Sequence, residues 1–434
     1  MLTSRRPWRG PAPLADQYRE RPLWWDDASL PSPPSRALPG DADALVIGSG
    51  YTGLAAALEL RKRGREVVVV DSAWLGRGAS GRNAGMIHSG LHRDIGWLER
   101  HLGEAGLRLH EASREAVDTV ERLAAEVAPD AGFRRCGWLH LAHRRSRVDG
   151  LRREASDRRR AGETTHLLAA GSIAEESGCD GFSGALLTDN GASIHPARYL
   201  AGLARAALTR GVEIHEGVTV LGLDGESRPG VRLATSAGTI RARDVLVATN
   251  GYTGPAFPEL RRRVIPIGSY IIATEPLPAA LAEAVSRRRR MMTDTRELLH
   301  YWRLSPDGRL VFGGRTSFTP ISVEWARDRL YADMTRFYPQ LTGIRVSRAW
   351  TGTVGFTVDR LPHLGRHRGV THALGYCGSG VAMATWLGTR AGAWVAGGDA
   401  GPFRGLPFPT LPGYRGRPWF LPLAGWWYQL RDRL

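Results

Sequence analysis

The chain has 434 residues, is 42% hydrophobic and carries a formal net charge of +16. This length and apolar content exclude a disordered polymer and leave room for two or three domains with cores of their own. All 59 basic residues except Lys62 are arginines, and the runs at 158–160, 261–263 and 287–290 are scattered and free of interleaved aromatics, which argues for solvated faces over a nucleic-acid groove.

The three cysteines, Cys136, Cys179 and Cys377, form no C-x-x-C pair. A disulfide framework or zinc site is not expected, no metal ligands are assigned, and a reducing, cytoplasmic setting is expected. "SRRPW" near the start is not followed by the apolar segment of a secretory signal. No apolar run reaches the roughly 18 residues of a spanning helix.

In chain order, residues 1–40 read as a proline-rich, irregular arm. "ALVIG" at 44–48 is a short apolar run without alternation, the pattern of a buried parallel strand. "YTGLAAALELRKRG" reads as a helix closed by Gly64, and "EVVVVD" as a second buried strand, which together make a right-handed βαβ unit. A long helical pattern follows from about 95 to 127. The stretch 133–190 mixes short strands such as "GWLHLA" with two helical patches.

"HPARYLAGLARAALTRG" is an amphipathic helix leading into "VEIHEGVTV"; "VRLATSAGTIRARD" reads as a hairpin turning at Gly238, and "VLVATNG" as another buried strand. Residues 264–340 suggest a strand-rich layer with one helix at about 322–337. "GVTHALGYCGSG" is a strand and glycine loop, and "VAMATWLGTRAGAWVAG" a closing helix. The last stretch, "YRGRPWFLPLAGWWYQLRDRL", is aromatic and basic and suits either a membrane surface or packing back on its own domain.

Gly48, Gly50 and Gly53 form G-x-G-x-x-G directly after a strand and at the opening of a helix. The first glycine permits the tight turn, the second lets backbone approach a pyrophosphate, and the third allows close helix–strand packing. Tyr51 and Thr52 fill the turn, and Ala57 extends the small face of the helix. Asp71, followed by Ser72, ends the second strand where an acid binds ribose hydroxyls, which favours FAD or NAD over NADP.

Buried parallel strands near the start, middle and end predict an α/β fold. A Rossmann-like dinucleotide domain is assembled from 41–100, 191–260 and 345–400. An α+β substrate domain with a mostly antiparallel sheet is inserted as 101–190 and 261–344, and 401–434 forms a tail.

After the acidic strand end comes "GRGASGRNAG", a loop whose small residues let backbone approach a flat ligand. This segment resembles the flavin-contacting loop of the FAD-dependent D-amino-acid oxidase superfamily, and is most similar to the gamma-glutamylputrescine oxidoreductase-like branch. "LWWDDASLP", "IHPARYLAGLARAALTRGVEIHEG", "VLVATNGYTGPAFPELRRRVIPIGSYIIATEPL", "LHYWRLSPDGRLVFGGR", "AWTGTVGFTVDRLPHLG" and "GYCGSGVAMATWLGTRAG" resemble further parts of that branch in the same order, from about 23 to 398.

The resemblance implies FAD as cofactor, with Ser80, Gly81, Arg82, Asn83, Ala84 and Gly85 along the isoalloxazine. It implies Gly378, Ser379, Gly380 and Val381 at the flavin carbonyl edge, where a helix N-terminus stabilises negative charge. Val218, Thr249, Asn250 and Gly251 complete the cofactor set. It also implies oxidation of a C–H bond next to an amine nitrogen, with hydride passing to the flavin and the imine hydrolysing in water. The return segment "WTGTVGFTVDRLP" holds no cysteine, so noncovalent FAD is expected. Lys62 lies in the nucleotide unit and cannot reach the flavin as the oxygen-activating lysine of some relatives does. The acceptor is therefore oxygen or another electron carrier.

"LHYWRL" puts His300 and Trp302 on one face of a strand and Tyr301 and Arg303 on the other, so one pair alone can face a pocket. Arg303 suits bidentate pairing with a substrate carboxylate. His300 and His88 are the other catalytic candidates, with Tyr270, Arg315 and His363 behind them. The main reading is an amine or amino-acid oxidoreductase with a small-molecule substrate. A flavin monooxygenase and a basic RNA-modifying flavoprotein are the alternatives.

Overall fold

The computed structural model describes residues 10–224, 230–315, 318 and 321–433, and two large sheets organise it. The parts of the predicted domain ranges at 1–9, 225–229, 316, 317, 319, 320 and 434 lie outside the described residues.

The valine run Val67–Val70 is buried along its whole length, as a strand covered on both faces must be. It lies between Glu213–His215 and Asp41–Ile47, and all three run parallel. Asp41–Ile47 pairs on its other side with Gly238–Val247, also in parallel. The far edge of that long strand is shared. Its first half takes Val231–Thr235 as an antiparallel hairpin partner, and its second half takes Val370–Leu374 in parallel. The sheet is therefore assembled from three distant parts of the chain.

Helix Tyr51–Lys62 packs against this sheet and is covered by Gly380–Val395 and Pro196–Thr209. The covering helix can come close because it is glycine where it crosses. A Cβ on Gly388 would stand 2.3 Å from the Thr52 carbonyl oxygen, and one on Gly392 2.6 Å from that of Ala56. Arg65 closes the bottom of the sheet, with Nε 2.6 Å from Asp43 and Nη2 2.9 Å from Asp244.

The second sheet has nine strands in the order Leu14–Arg19, Val346–Phe356, Ile265–Thr274, Leu310–Gly314, His300–Leu304, Met291–Asp294, Trp138–Leu141, Gly184–Thr188 and Thr165–Ala169. Its pairings are antiparallel except between the first two strands and between Met291–Asp294 and Trp138–Leu141. Helix Val323–Phe337 packs on one face with Trp302, Phe312 and Tyr338 in a closed core. A small third sheet, Met86–His88, Gly191–Ser193 and Arg134–Arg135, lies between the two.

Several sequence boundaries move. The helical pattern at 95–127 is two helices, Ile95–Leu102 and Glu104–Val127, broken at Gly103, whose φ of +57° suits glycine. Glu104–Val127 falls in the range predicted for the substrate domain, but Leu109, Ala116, Val117 and Val120 join the core of the nucleotide sheet. Conversely, Val346–Phe356 falls in the range predicted for the nucleotide domain and sits inside the nine-stranded sheet. The arm is not irregular throughout, since Leu14–Arg19 forms that sheet's edge. The strand-rich layer at 264–340 has a second helix, Ala279–Ser286, and the last stretch ends in helix Leu421–Arg433.

Candidate active site

A single cavity of about 1260 Å³ runs from the glycine turn to the face of the nine-stranded sheet. It exceeds the roughly 300–1,000 Å³ of pockets for drug-sized ligands, as a dinucleotide together with a substrate requires.

At one end, Gly48 has a φ of +107° and starts the turn out of strand Asp41–Ile47. Helix Tyr51–Lys62 points its N-terminus into the cavity, and no side chain of its own N-cap, Gly50, closes it. Ser80 Oγ accepts the Tyr51 N–H at 3.0 Å, which brings the 76–84 loop onto the helix end. A Cβ on Gly50 would stand 2.9 Å from that hydroxyl. Asp71 Oδ2 accepts from the backbone and hydroxyl of Ser49, both at 2.8 Å, and Oδ1 accepts from Ala73 N at 3.0 Å. A carboxylate has about four acceptor positions, so capacity remains for ribose hydroxyls. Ser72 and Val218 line the same stretch, and Thr249 and Asn250 lie across from it.

The loop "GRNAG" is held from behind by donors aimed at successive carbonyls. Trp350 Nε1 donates to Arg82 O at 2.7 Å and Trp24 Nε1 to Asn83 O at 2.7 Å. Arg303 Nε donates to Ala84 O at 2.6 Å, and its Nη2 reaches Ile194 O at 2.8 Å. Asn83 fixes the inner side: its amide donates to Ser80 O at 3.0 Å and its Oδ1 accepts from Gly85 N at 2.8 Å. Arg82 leaves for the rim, where Nη1 donates to Thr351 O at 3.0 Å and the guanidinium covers Trp25. Opposite, helix Gly380–Val395 opens on the cavity through Gly378, Ser379, Gly380 and Val381, and its N-cap Ser379 makes no side-chain cap.

Two helix N-termini, a strand-end acid and a loop of small residues therefore face one cavity. The N–H groups left at these ends besides that of Tyr51, and their positive dipoles, suit the pyrophosphate and an electron-rich ring edge of a flavin dinucleotide. The residues present fit FAD.

Of the predicted cofactor residues, Gly53, Gly81, Gly85 and Gly251 do not line the cavity. They stand one layer behind it, where backbones touch. A Cβ on Gly53 would lie 1.8 Å from Gly48 O, on Gly81 2.2 Å from Gly76 O, on Gly85 2.0 Å from Ile194 O, and on Gly251 3.0 Å from Thr353. Their role is close packing.

The catalytic candidates divide along strand His300–Leu304. His300 and Trp302 face the helix-covered side, away from the cavity. Burial opposes a charge on His300, but Asp294 at 2.9 Å and Asp333 at 3.3 Å outweigh it and hold its pKa up at about 9. It is a structural cation. Tyr301 and Arg303 face the other way, yet Arg303 does not reach the cavity either, because backbone carbonyls take its donors. The expectation that Arg303 pairs a substrate carboxylate is corrected on that ground. Tyr270 donates to Ile321 O at 3.1 Å in the covered core, and His363 stacks on Phe408 at 3.9 Å; neither lines the cavity.

The far end of the cavity, against the nine-stranded sheet, is formed by Tyr301, Arg315, His88 and His92, with Ser269 and Ile271 from strand Ile265–Thr274. Gly313 lies opposite Tyr301 in register, and its missing side chain makes room for the ring. The Tyr301 and Ser269 hydroxyls lie 2.8 Å apart, and burial pushes the phenol up to about 12. Arg315 is enclosed by protein and open to the cavity, with its guanidinium 4.6 Å from the centre of the Phe356 ring. Burial lowers its pKa to about 10, which leaves it charged at neutral pH. Among the described residues no carboxylate pairs with it.

Burial first, then Arg315, Arg360 and Arg93, push His92 down to about 3, so it is neutral. His88, also lowered chiefly by burial, stacks on Trp138 at 4.8 Å, and Trp138 stacks on His140 at 5.2 Å. His92 and the Trp138–His140 pair were missed in the sequence, where no spacing sets them apart.

The family described as FAD dependent oxidoreductase matches residues 43–394. The chain is 32% identical over 400 residues to gamma-glutamylputrescine oxidoreductase of Escherichia coli, covering 90% of this chain and 93% of that protein. It is 32% identical to a probable oxidoreductase, OrdL, of Haemophilus influenzae, covering 86% and 88%. The crystal structure of glycine oxidase from Geobacillus kaustophilus superposes with a TM-score of 0.72 at 21% identity, covering 86% of this chain and 99% of that one.

Proposed function

Because this chain belongs to the family of FAD dependent oxidoreductases, we propose that it oxidises the C–N bond of an amine or amino acid that carries a carboxylate. Arg315 carries this reading: a charged guanidinium opening on the cavity beside the sheet, without a carboxylate partner among the described residues. The Escherichia coli relative is named for gamma-glutamylputrescine and the structural neighbour for glycine, and both compounds hold a carboxylate and an amine.

FAD, when bound, supplies a two-electron acceptor for the hydride leaving the carbon next to nitrogen. Gly48, Gly50, Ser80 and Asp71 hold its nucleotide half, and Gly378–Val381 with the 80–84 loop its ring. Arg315 pairs the substrate carboxylate and so fixes which carbon is presented. Its positive charge also disfavours the substrate ammonium, leaving the neutral amine whose lone pair assists C–H cleavage. His92, kept neutral, adds no charge and is available as a hydrogen-bond partner, as is the Tyr301–Ser269 hydroxyl pair. Ile271 and Val354 keep the reacting end apolar. The imine product needs no group of this chain, since water hydrolyses it.

The cofactor is read as noncovalent. Burial pushes the Cys377 thiol up to about 11, which suppresses the thiolate a thioether requires. The three cysteines are free and buried, which supports a reducing, cytoplasmic setting.

The test is anaerobic titration of the yellow protein with carboxylated amines, amino acids and bare polyamines. Bleaching by the carboxylated compounds at much lower concentration than by polyamines is expected. Bleaching by NADH alone, or by no amine, overturns the reading. The rate at which air restores the colour separates an oxidase from a dehydrogenase, and acid precipitation should release the flavin.

A further inference from the structure

Helix Leu421–Arg433 is apolar on two faces. Leu421, Gly425, Tyr428 and Asp432 recur at helical spacing and turn inward. Tyr428 packs its ring 5.5 Å from that of Phe318, and a Cβ on Gly425 would stand 3.3 Å from Phe318. The Asp432 carboxylate accepts the backbone N–H groups of Glu297 and Leu298 at 2.8 and 3.1 Å. The helix is thus docked through one complete face.

Its opposite face should be polar. It presents Leu423, Trp426 and Trp427 instead, at 68%, 66% and 53% exposure, and Trp419 just before the helix is 64% exposed. Single exposed apolar side chains need no explanation; a contiguous patch does.

The chemistry around the patch selects its occupant. Indoles combine an apolar body with a polar N–H and prefer the boundary between hydrocarbon and headgroup. Arg415 and Arg417 are exposed just ahead of Trp419, and Arg431 at the far end is paired with Glu297 at 3.1 Å. A Cβ on Gly416 would lie 2.4 Å from Arg261 Nε, so the basic run 261–263 adjoins the same segment. Asp432 is the one acid within 415–433, and it is turned inward. An apolar stripe rimmed by arginines on a protein of net charge +16 is complementary to an anionic lipid surface. The helix has 13 residues, fewer than the roughly 20 needed to span, and no helix among the described residues is long and apolar enough to cross a membrane. It can lie on a bilayer and cannot pass through it.

We infer that helix Leu421–Arg433, with Trp419, seats this protein on the surface of an anionic lipid bilayer. Leu423, Trp426 and Trp427 enter the headgroup–acyl boundary while Arg415 and Arg417 meet the lipid phosphates. Glu297 and Leu299 line the cavity rim, and Asp432 is bonded to the same loop. The docked enzyme therefore holds that rim about one helix diameter, ~10 Å, from the membrane.

Co-sedimentation of the full-length, FAD-loaded protein with vesicles tests this, comparing phosphatidylglycerol–phosphatidylcholine mixtures with phosphatidylcholine alone. Binding to the anionic vesicles, weakened by salt, with a blue shift of tryptophan emission, is expected. The W426S/W427S double variant, whose flavin spectrum and far-ultraviolet circular dichroism should match wild type, is expected to bind at least ~10-fold more weakly. Wild-type protein that stays in the supernatant with anionic vesicles overturns the inference, as does a double variant that binds like wild type. A concentration-dependent dimer that the double substitution dissolves, without vesicle binding by the wild type, reassigns the patch to a second copy of the chain.

Discussion

At the glycine-turn end of the cavity the shape is set by backbone packed on backbone; at the end proposed for substrate it is set by charged and aromatic side chains from segments far apart in the chain. The first end is shaped by distances too short for a Cβ, such as the 1.8 Å that one on Gly53 would make with Gly48 O. The second is shaped by Arg315, charged and without a described acid, and by His92, which burial and neighbouring arginines keep neutral. Substitutions at the first end should change stability and cofactor retention together. At the second end, substrate affinity should separate from stability. Arg303 and Arg315 make the contrast sharpest, because Arg315 directly follows the strand that pairs with that of Arg303 and the two differ in what takes their donors.

The largest effect is expected for Gly53→Val. Its side chain has to displace the Gly48 carbonyl, and overpacking of backbone against backbone costs about 3 kcal/mol or more. The purified variant should be colourless or insoluble. A yellow variant of unchanged thermal midpoint would show that helix and strand have slack here.

Arg303→Met should come next, at about 2–3 kcal/mol, because it strips donors from the buried carbonyls of Ala84 and Ile194. The expected signature is a lower unfolding midpoint and weaker FAD retention, with KM unchanged for the fraction that keeps FAD. A rise in KM at full flavin occupancy would return Arg303 to the substrate.

Arg315→Met should do the reverse. Losing a charge-assisted pair with the substrate costs about 1.5–3 kcal/mol, or roughly 10- to 100-fold in KM for carboxylated substrates. The thermal midpoint should hold or rise, since an enclosed charge has been removed. An unchanged KM would remove Arg315 from the site.

The smallest effect is a pH dependence on the covered face of the sheet. His300 is held charged up to about pH 9 by Asp294 and Asp333 despite its burial. Its contribution is complete below its unfolded pKa of about 6.5 and is lost as pH rises through about 9. The stability gap between wild type and His300→Gln, read from urea midpoints, should therefore shrink by about 1–3 kcal/mol between about pH 6 and about pH 10. A gap of constant size would mean that His300 is neutral.

The nucleotide end was legible in the sequence because its determinants are local. Gly48, Gly50 and Gly53 sit within one turn, and the strand, helix and acid that give them meaning adjoin them. Even there, the pattern did not say which glycines touch ligand and which touch backbone, since both uses require a missing Cβ. Alternation along "HYWR" correctly separated His300 and Trp302 from Tyr301 and Arg303. It did not say which face is covered by a helix, because that helix, Val323–Phe337, comes later in the chain. Nor could it foresee that carbonyls from residues 84 and 194 would occupy Arg303. His92 has no local signature, and its character comes from arginines at 315 and 360 that only the fold brings near.

Strand Leu14–Arg19 pairs in parallel with Val346–Phe356 and forms the outer edge of the nine-stranded sheet. The arm is synthesised long before its partner, since every other strand of this sheet lies between them in sequence. The βαβ unit at 41–70 can close as it emerges, but the nine-stranded sheet cannot be sealed until Val346–Phe356 has been made. Until it is paired, Val346–Phe356, apolar over much of its length, offers an open row of backbone donors and acceptors to any neighbouring chain. The arm is thus already present when the last strand of this sheet is made, and pairing with it covers that row.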